Sequence, residues 1–164
     1  MNTGMDLTKL QLAMDGETDI IVRRDFNHPP SRVWRALTEP TLIPQWMGRM
    51  KRCEMDLRPG GTFHYQWEEF FFSGPILAVD APHHLTHVEY FNGDTASGAT
   101  HITDLVARGT GTRMTIVMRW ANAEARAAAI ANGMTDGLDE VYGKLEALLN
   151  EESKDARKES EPTP

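Results

Sequence analysis

The sequence predicts an α+β fold in which a curved antiparallel sheet of about six to seven strands wraps around a long C-terminal helix. Two short helices follow the first strand. Apolar residues recur at three- and four-residue steps near the C-terminus, and short segments with alternating apolar and polar residues fill the middle of the chain. Strands joined by short turns pair antiparallel, and a long apolar helix stripe needs a broad concave surface to cover it. Such an arrangement often leaves a ligand-sized cavity between sheet and helix.

The segment 122–150 predicts the long helix. Asn122 is a suitable N-cap, and the alanine-rich run behind it loses little side-chain entropy in a helix. The apolar stripe then consists of Ile130, Met134, Leu138, Val141, Leu145 and Leu148. Gly133 and Gly137 interrupt this pattern. They indicate a break, with the main helix starting near Thr135, or a place where a ligand or another backbone comes close.

The first strand covers residues 19–26 and ends before Pro29 and Pro30, which lack the N–H group that a sheet ladder needs. Two short helices follow, and neither is long enough to be stable alone. They cover residues 31–37 and 40–46. Further strands are expected at residues 53–58, 63–67, 74–79, 85–91, 100–107 and 113–120, and a short one near residues 9–14. Turns rich in glycine and proline separate them.

Length and charge narrow the class of protein. The 164 residues suggest one domain at 19–150, preceded by a lead-in at 1–18 and followed by a charged, flexible tail at 151–164. A net charge of −7 argues against nucleic-acid binding and against attachment to anionic membranes. The sequence shows no secretory signal, no long apolar segment and no second cysteine beside Cys53. We therefore expect a cytoplasmic protein. A protein partner and any oligomeric state are left open.

Three polar residues are candidates for acid–base chemistry. His87 and Glu89 share one face of a predicted strand, and His101 lies on the next strand, so the three could meet across an antiparallel pair. A carboxylate with a histidine is the minimum for general base catalysis, and two histidines with a carboxylate could hold a metal. Their spacing fits no compact metal motif, and side chains at such positions more commonly face solvent. We therefore assign no catalytic residue and no metal ligand from the sequence. Cys53 shares the apolar face of its strand and is expected in the core.

Four segments carry a resemblance to known proteins. They are FNHPPSRVWRALTEPTLIPQWMG at 26–48, CEMDLRPGGTFHYQW at 53–67, GPILAVDAPHHLTHVEYF at 74–91 and GMTDGLDEVYGKLEALL at 133–149. With these motifs in this order, the chain resembles the SRPBCC (START-like) superfamily over roughly residues 19–149. Within it, the chain is similar to the AHSA-type family, named for homology to the activator of a heat-shock protein's ATPase.

The resemblance implies a helix-grip fold. It transfers no catalytic residue, because this family shares an architecture and not a universal catalytic set. Relatives carry tryptophan or another bulky residue after the second helix glycine, where this chain has Leu138. The size of the pocket and the identity of its ligand therefore do not carry over from the family.

Large apolar and aromatic side chains on the inward faces would line the cavity of such a fold. We expect the ligand-binding residues to be Trp46, Met55, Phe63, Tyr65, Trp67, Ile102, Met118, Met134, Leu138, Val141 and Tyr142. The sequence thus predicts a protein that binds a small apolar or aromatic molecule without a cofactor. One alternative is an enzyme of the cyclase or hydrolase type that uses polar cavity residues. The other, suggested by the family name, is a chaperone-partner module.

Overall fold

The structure, a computed structural model, describes residues 7–160 and the side chains of residues 7–155. Its strands are β1 (Gln11–Asp15), β2 (Asp19–Phe26), β3 (Arg52–Met55), β4 (Thr62–Gln66), β5 (Phe71–Asp80), β6 (His84–Phe91), β7 (Asp94–Arg108) and β8 (Gly111–Trp120). Its helices are α1 (Pro30–Thr38), α2 (Ile43–Met47), α3 (Ala123–Ala131) and α4 (Leu138–Ser160). The predicted α+β helix-grip fold is confirmed.

The strands form one antiparallel sheet in the order β1-β2-β8-β7-β6-β5-β4-β3. From β3 to β8 the chain is a meander, and β2 pairs with β8 because α1 and α2 carry the chain from one side of the sheet to the other. The sheet has eight strands where the sequence predicted six or seven. The short strand expected near residues 9–14 is present as β1, and it pairs with β2 from Gln11 opposite Arg23 to Asp15 opposite Asp19.

Helix α4 supplies much of the core on the inner face of the sheet. Tyr142, Leu145 and Leu149 are buried, and they join a cluster with inward side chains of β2 and β8. Polar contacts tie the same helix to the strand β2 and the loop that follows it. Glu146 lies 3.7 Å from Arg24 Nη1, and the ring of His28 lies 2.8 Å from Asn150 Oδ1. The position of α4 over the sheet is therefore fixed by both apolar packing and buried polar contacts.

The helical segment predicted for residues 122–150 is divided into two helices, at the break that Gly133 and Gly137 indicate. Helix α3 ends at Ala131, α4 begins at Leu138, and the turn between them contains Gly133 at φ 87° and Gly137 at φ 75°. Both glycines adopt the left-handed conformation that other residues rarely tolerate, which explains why the break falls at these positions. The Asn122 side chain caps α3 by accepting a 2.8 Å hydrogen bond from Ala125 N, as the sequence predicted.

The charged tail is helical where it is described. Helix α4 continues to Ser160, whereas the charged sequence predicts a flexible segment from residue 151. Arg32 on α1 holds this extension, because it donates to Leu149 O at 2.9 Å and to Glu152 Oε2 at 3.3 Å. Residues 1–6 of the predicted lead-in and 161–164 of the predicted tail lie outside the described residues. None of the helices in the described part is long and apolar enough to cross a membrane.

Candidate functional site

A pocket of about 520 Å³ lies between the inner face of the sheet and the helices α1, α2 and α4. The turn between α3 and α4 closes one side of it. Most of the lining is aromatic or aliphatic, and its larger members are Trp34, Trp46, Tyr65, Trp67, Phe70, Phe72, Leu85, Phe91, Ile116, Met118, Met134, Leu138, Val141 and Tyr142. On the sheet wall, His87, Glu89, His101 and Thr103 are the polar side chains that reach it.

The register of β6 and β7 brings three of these polar side chains together. His87 lies directly opposite His101, and Glu89 lies opposite Ala99, two residues further along the same face. Alternate residues of a strand point to the same side, so all three side chains project from the inner face. Because Ala99 is small and buried, it leaves room for the Glu89 carboxylate to reach the two imidazoles.

The three side chains form a compact, buried cluster, which we call the His–Glu–His cluster (His87, Glu89 and His101). His101 Nε2 lies 3.0 Å from Glu89 Oε2, close enough for an ion pair. His87 Nε2 lies 3.4 Å from Glu89 Oε1. The exposed fractions of the side chains are 14% for His87, 15% for Glu89 and 7% for His101. The cluster therefore faces the pocket and not bulk solvent, which corrects the expectation that such a pair faces outward.

The cluster shifts the pKa of its own members. Burial by itself raises the pKa of Glu89, but the neighbouring imidazoles of His101 and then His87 outweigh it and hold this pKa far below its ordinary range. For His87, burial is the larger effect and lowers the pKa, against the opposing influence of Glu89. At neutral pH, Glu89 is therefore an ionised carboxylate and His87 a neutral imidazole.

Aromatic residues hold the cluster in place. The rings of His87 and His101 are stacked with centroids 5.0 Å apart, and the rings of Phe63 and His87 form a T-shaped pair with centroids 5.1 Å apart. Burial, followed by the nearby charge of Glu89, raises the pKa of Tyr65 and of Tyr142 well above the usual range. Both phenols are therefore neutral hydrogen-bonding groups beside an ionised carboxylate.

The structure places most of the predicted ligand-binding residues around the pocket. Those that line it are Trp46, Tyr65, Trp67, Met118, Met134, Leu138, Val141 and Tyr142. Phe63 lies behind the lining, where it supports His87, and Met55 packs against the edge of the core. Ile102 lies on the outer face of β7, because the inward side of this strand carries His101, Thr103 and Leu105.

Several pocket residues were not predicted from the sequence. Trp34 and Phe72 line the pocket, although neither is among the residues that the sequence predicts to bind the ligand. Thr103 shares the inward face of β7 with the buried Leu105, whereas the neighbouring Val106 is 61% exposed. Alternate residues of β7 are therefore buried and exposed in the structure. The sequence does not reveal which face is buried, because Ile102 and Val106 are apolar residues on the outer face.

Cys53 is not part of the pocket lining. It is half-buried and packs against the core, as predicted. Burial, with a smaller contribution from Glu54, raises the pKa of its thiol to about 11. The thiolate is therefore scarce at neutral pH, which is typical of a structural cysteine and not of a nucleophile.

Comparison with known proteins identifies the family. The family model described as "Activator of Hsp90 ATPase homolog 1-like protein" matches residues 27–150. A crystal structure of a protein from Rhodobacter sphaeroides superposes with a TM-score of 0.79 at 26% identity, over 87% of this chain and 98% of that one. A protein from Nitrosomonas europaea superposes with a TM-score of 0.73 at 27% identity, over 85% of this chain and 99% of that one. A protein from Mycobacterium smegmatis, 23% identical with a TM-score of 0.75 over 87% of this chain and 96% of that one, shares the fold.

No curated protein is similar enough in sequence to match the chain. The family model nevertheless spans most of its length, and the solved structures agree with it in fold. The chain therefore belongs to the activator of Hsp90 ATPase homolog 1-like family of the SRPBCC superfamily.

Proposed function

We propose that the protein binds a small, mainly apolar or aromatic molecule with one hydrogen-bonding group, in the pocket between the sheet and α4. The observation that carries this proposal is the pocket itself. Its volume of about 520 Å³ falls within the range of small-molecule sites, and its lining is largely aromatic and aliphatic, with a few polar groups that include the His–Glu–His cluster. That combination is typical of sites where apolar surface supplies affinity and a few polar groups fix orientation.

The polar wall favours a particular kind of ligand. Glu89 is ionised and accepts hydrogen bonds, while Tyr65 and Tyr142 are neutral phenols that can donate or accept. A phenol or an N–H group would pair with the carboxylate, and the aromatic body would pack among Trp46, Trp67 and their neighbours. A molecule without any polar group would make no hydrogen bond to this wall and would be held by apolar contacts alone.

The test is native mass spectrometry of protein purified gently from cells and then incubated with small phenols and aromatic amines. We expect a near-stoichiometric adduct with the unmodified chain. Leu138→Trp should reduce adduct occupancy at least tenfold, because the larger side chain fills the pocket from α4. The matched control is Val106→Trp, since Val106 is 61% exposed on the far side of the sheet. Equal occupancy in both variants, or no adduct with any of these compounds, would contradict the proposal.

A proton-transfer enzyme is the second candidate, and the buried His–Glu–His cluster favours it. A neutral imidazole beside a carboxylate is a competent general base when a substrate lies in reach. The two functions separate with Glu89→Gln, which removes the negative charge with little change in shape. If the protein is an enzyme, this variant loses turnover even at a saturating concentration of the compound, whereas a protein that only binds shows a change in affinity alone.

A further inference from the structure

We infer that the His–Glu–His cluster is a binding site for a divalent transition metal of the Zn²⁺ class. Its donor set is two imidazoles and one carboxylate. These are the ligands that zinc takes in sites with three protein donors and a fourth position left for water or for a ligand. The inference goes beyond small-molecule binding and does not depend on it.

The donor atoms are already close to the separations that a metal requires. With bonds of about 2.0–2.1 Å, two ligands of a tetrahedral zinc ion lie about 3.3 Å apart. In the structure, Glu89 Oε2 lies 3.0 Å from His101 Nε2, and Glu89 Oε1 lies 3.4 Å from His87 Nε2. One donor atom from each of the three side chains lies within 4.8 Å of the other two. Rotation of the side chains would bring the three donors onto one ion.

Two buried ring nitrogens of the cluster make no hydrogen bond within the described part of the chain. Among the described residues, His101 Nε2 and His87 Nδ1 are buried without a hydrogen bond. His101 Nε2 is close to the Glu89 carboxylate but is not aligned for a hydrogen bond with it. A buried polar atom without a partner is unfavourable, and a cation coordinated by His101 Nε2 would supply that partner.

The scaffold around the cluster is rigid. His87 and His101 are directly opposed on two central strands, and Phe63 packs against the His87 ring at 5.1 Å. Donors held on paired strands lose little freedom when they bind a metal, so more of the coordination energy appears as affinity. His84 and Asp104 form a second histidine–carboxylate pair across β6 and β7. Their side chains are 33% and 51% exposed, so this pair serves as an exposed control for the buried cluster.

The experiment is calorimetric titration of the full chain with Zn²⁺, after removal of bound metal with EDTA and without any organic ligand. We expect one Zn²⁺ per chain. His101→Gln and Glu89→Gln should each weaken binding at least tenfold, because each removes one of the three donors. His84→Gln is the matched control on the same strand and should bind as the unmodified chain does. Circular dichroism of each variant confirms that it is folded.

A second measurement needs no variant. In the unmodified chain, imidazole ¹⁵N NMR should show Zn²⁺ shifting the ring nitrogens of His87 and His101 while those of His84 stay in place. The inference is overturned if the chain binds no stoichiometric Zn²⁺, if the glutamine variants bind it as tightly, or if the shifts fall on His84 instead. Because no organic ligand is present, such a failure would leave the small-molecule proposal standing.

Discussion

Glu89 shows how a buried carboxylate is accommodated in a largely apolar pocket. A buried carboxylate alone would be driven toward its neutral form, but two imidazoles within 3.4 Å keep it ionised. The sequence contains part of this arrangement, because the two-residue spacing of His87 and Glu89 puts both on one face of β6. It does not say which face is inside. In the structure, the register of β6 with β7 places Glu89 opposite the buried Ala99, on the face of β7 that also carries the buried Leu105. That face is the inner one.

Asp25 is a second buried carboxylate, and its role is structural. It accepts a hydrogen bond from Leu7 N at 2.8 Å and another from Arg113 Nε at 2.8 Å, and it pairs with Arg108. Burial by itself raises the pKa of Asp25, but Arg113 and the Leu7 amide outweigh it and hold this pKa below the ordinary value of 3.8. The ionised carboxylate therefore joins the N-terminal segment to β8.

Asp25→Asn should destabilise the folded chain by about 2 kcal/mol at pH 7, since it removes hydrogen bonds to a charged group. The pKa of Asp25 is lower in the folded chain than in the unfolded chain. Its contribution to the free energy of unfolding is therefore complete above roughly pH 4 and is lost as the pH falls through the pKa of the folded state. Urea denaturation at pH 7 and pH 3 checks both statements, and the difference between the two chains should shrink at pH 3. Asp56→Asn, in an exposed pair with Arg58, is the control and should change little. Equal stability of Asp25→Asn and the unmodified chain at pH 7 would refute this role.

At the scale of secondary structure, α3 and α4 differ in how they are held. Helix α3 has no fully buried residue, and it is held by its Asn122 cap, by partly buried Ala125, Ala129 and Ile130 packed against the core, and by Arg126, which donates to Asp19 O at 2.9 Å. Helix α4 buries Leu145 and Leu149 completely and continues past residue 150 because α1 contacts its extension. The sequence predicted the break from Gly133 and Gly137, but not the extension, because Arg32 lies more than one hundred residues away in the chain.

Leu145→Ala should destabilise the chain by about 2–5 kcal/mol, because it leaves a cavity where α4 packs on the sheet. Leu77→Ala is the control, since Leu77 is 50% exposed and its truncation leaves no internal cavity. Thermal and urea unfolding of both variants give the two values under the same conditions. Similar losses in the two variants would mean that α4 is not the anchor of the core.

At the scale of the whole molecule, local patterns predicted the element order and the fold, because strand alternation and the helix stripe are properties of neighbouring residues. The pocket depends on longer-range facts. Strand β7 has apolar residues on both faces, so Ile102 was placed inward in error and Thr103 was missed. Trp34 lines the pocket from α1, which directly follows β2 in the chain. The position of α1 over the pocket therefore depends on the pairing of β2 with β8, two strands that are distant in the sequence.

Binding of a small molecule between the sheet and α4 can be observed by NMR of the chain with ¹³C-labelled methionine methyl groups, titrated with small phenols and aromatic amines. Met118 and Met134 line the pocket, whereas Met14 is 60% exposed on the edge strand β1. If a small molecule binds between the sheet and α4, the methyl signals of Met118 and Met134 shift in a saturable way and that of Met14 does not. Shifts confined to Met14, or none at any of the three, would contradict the claim.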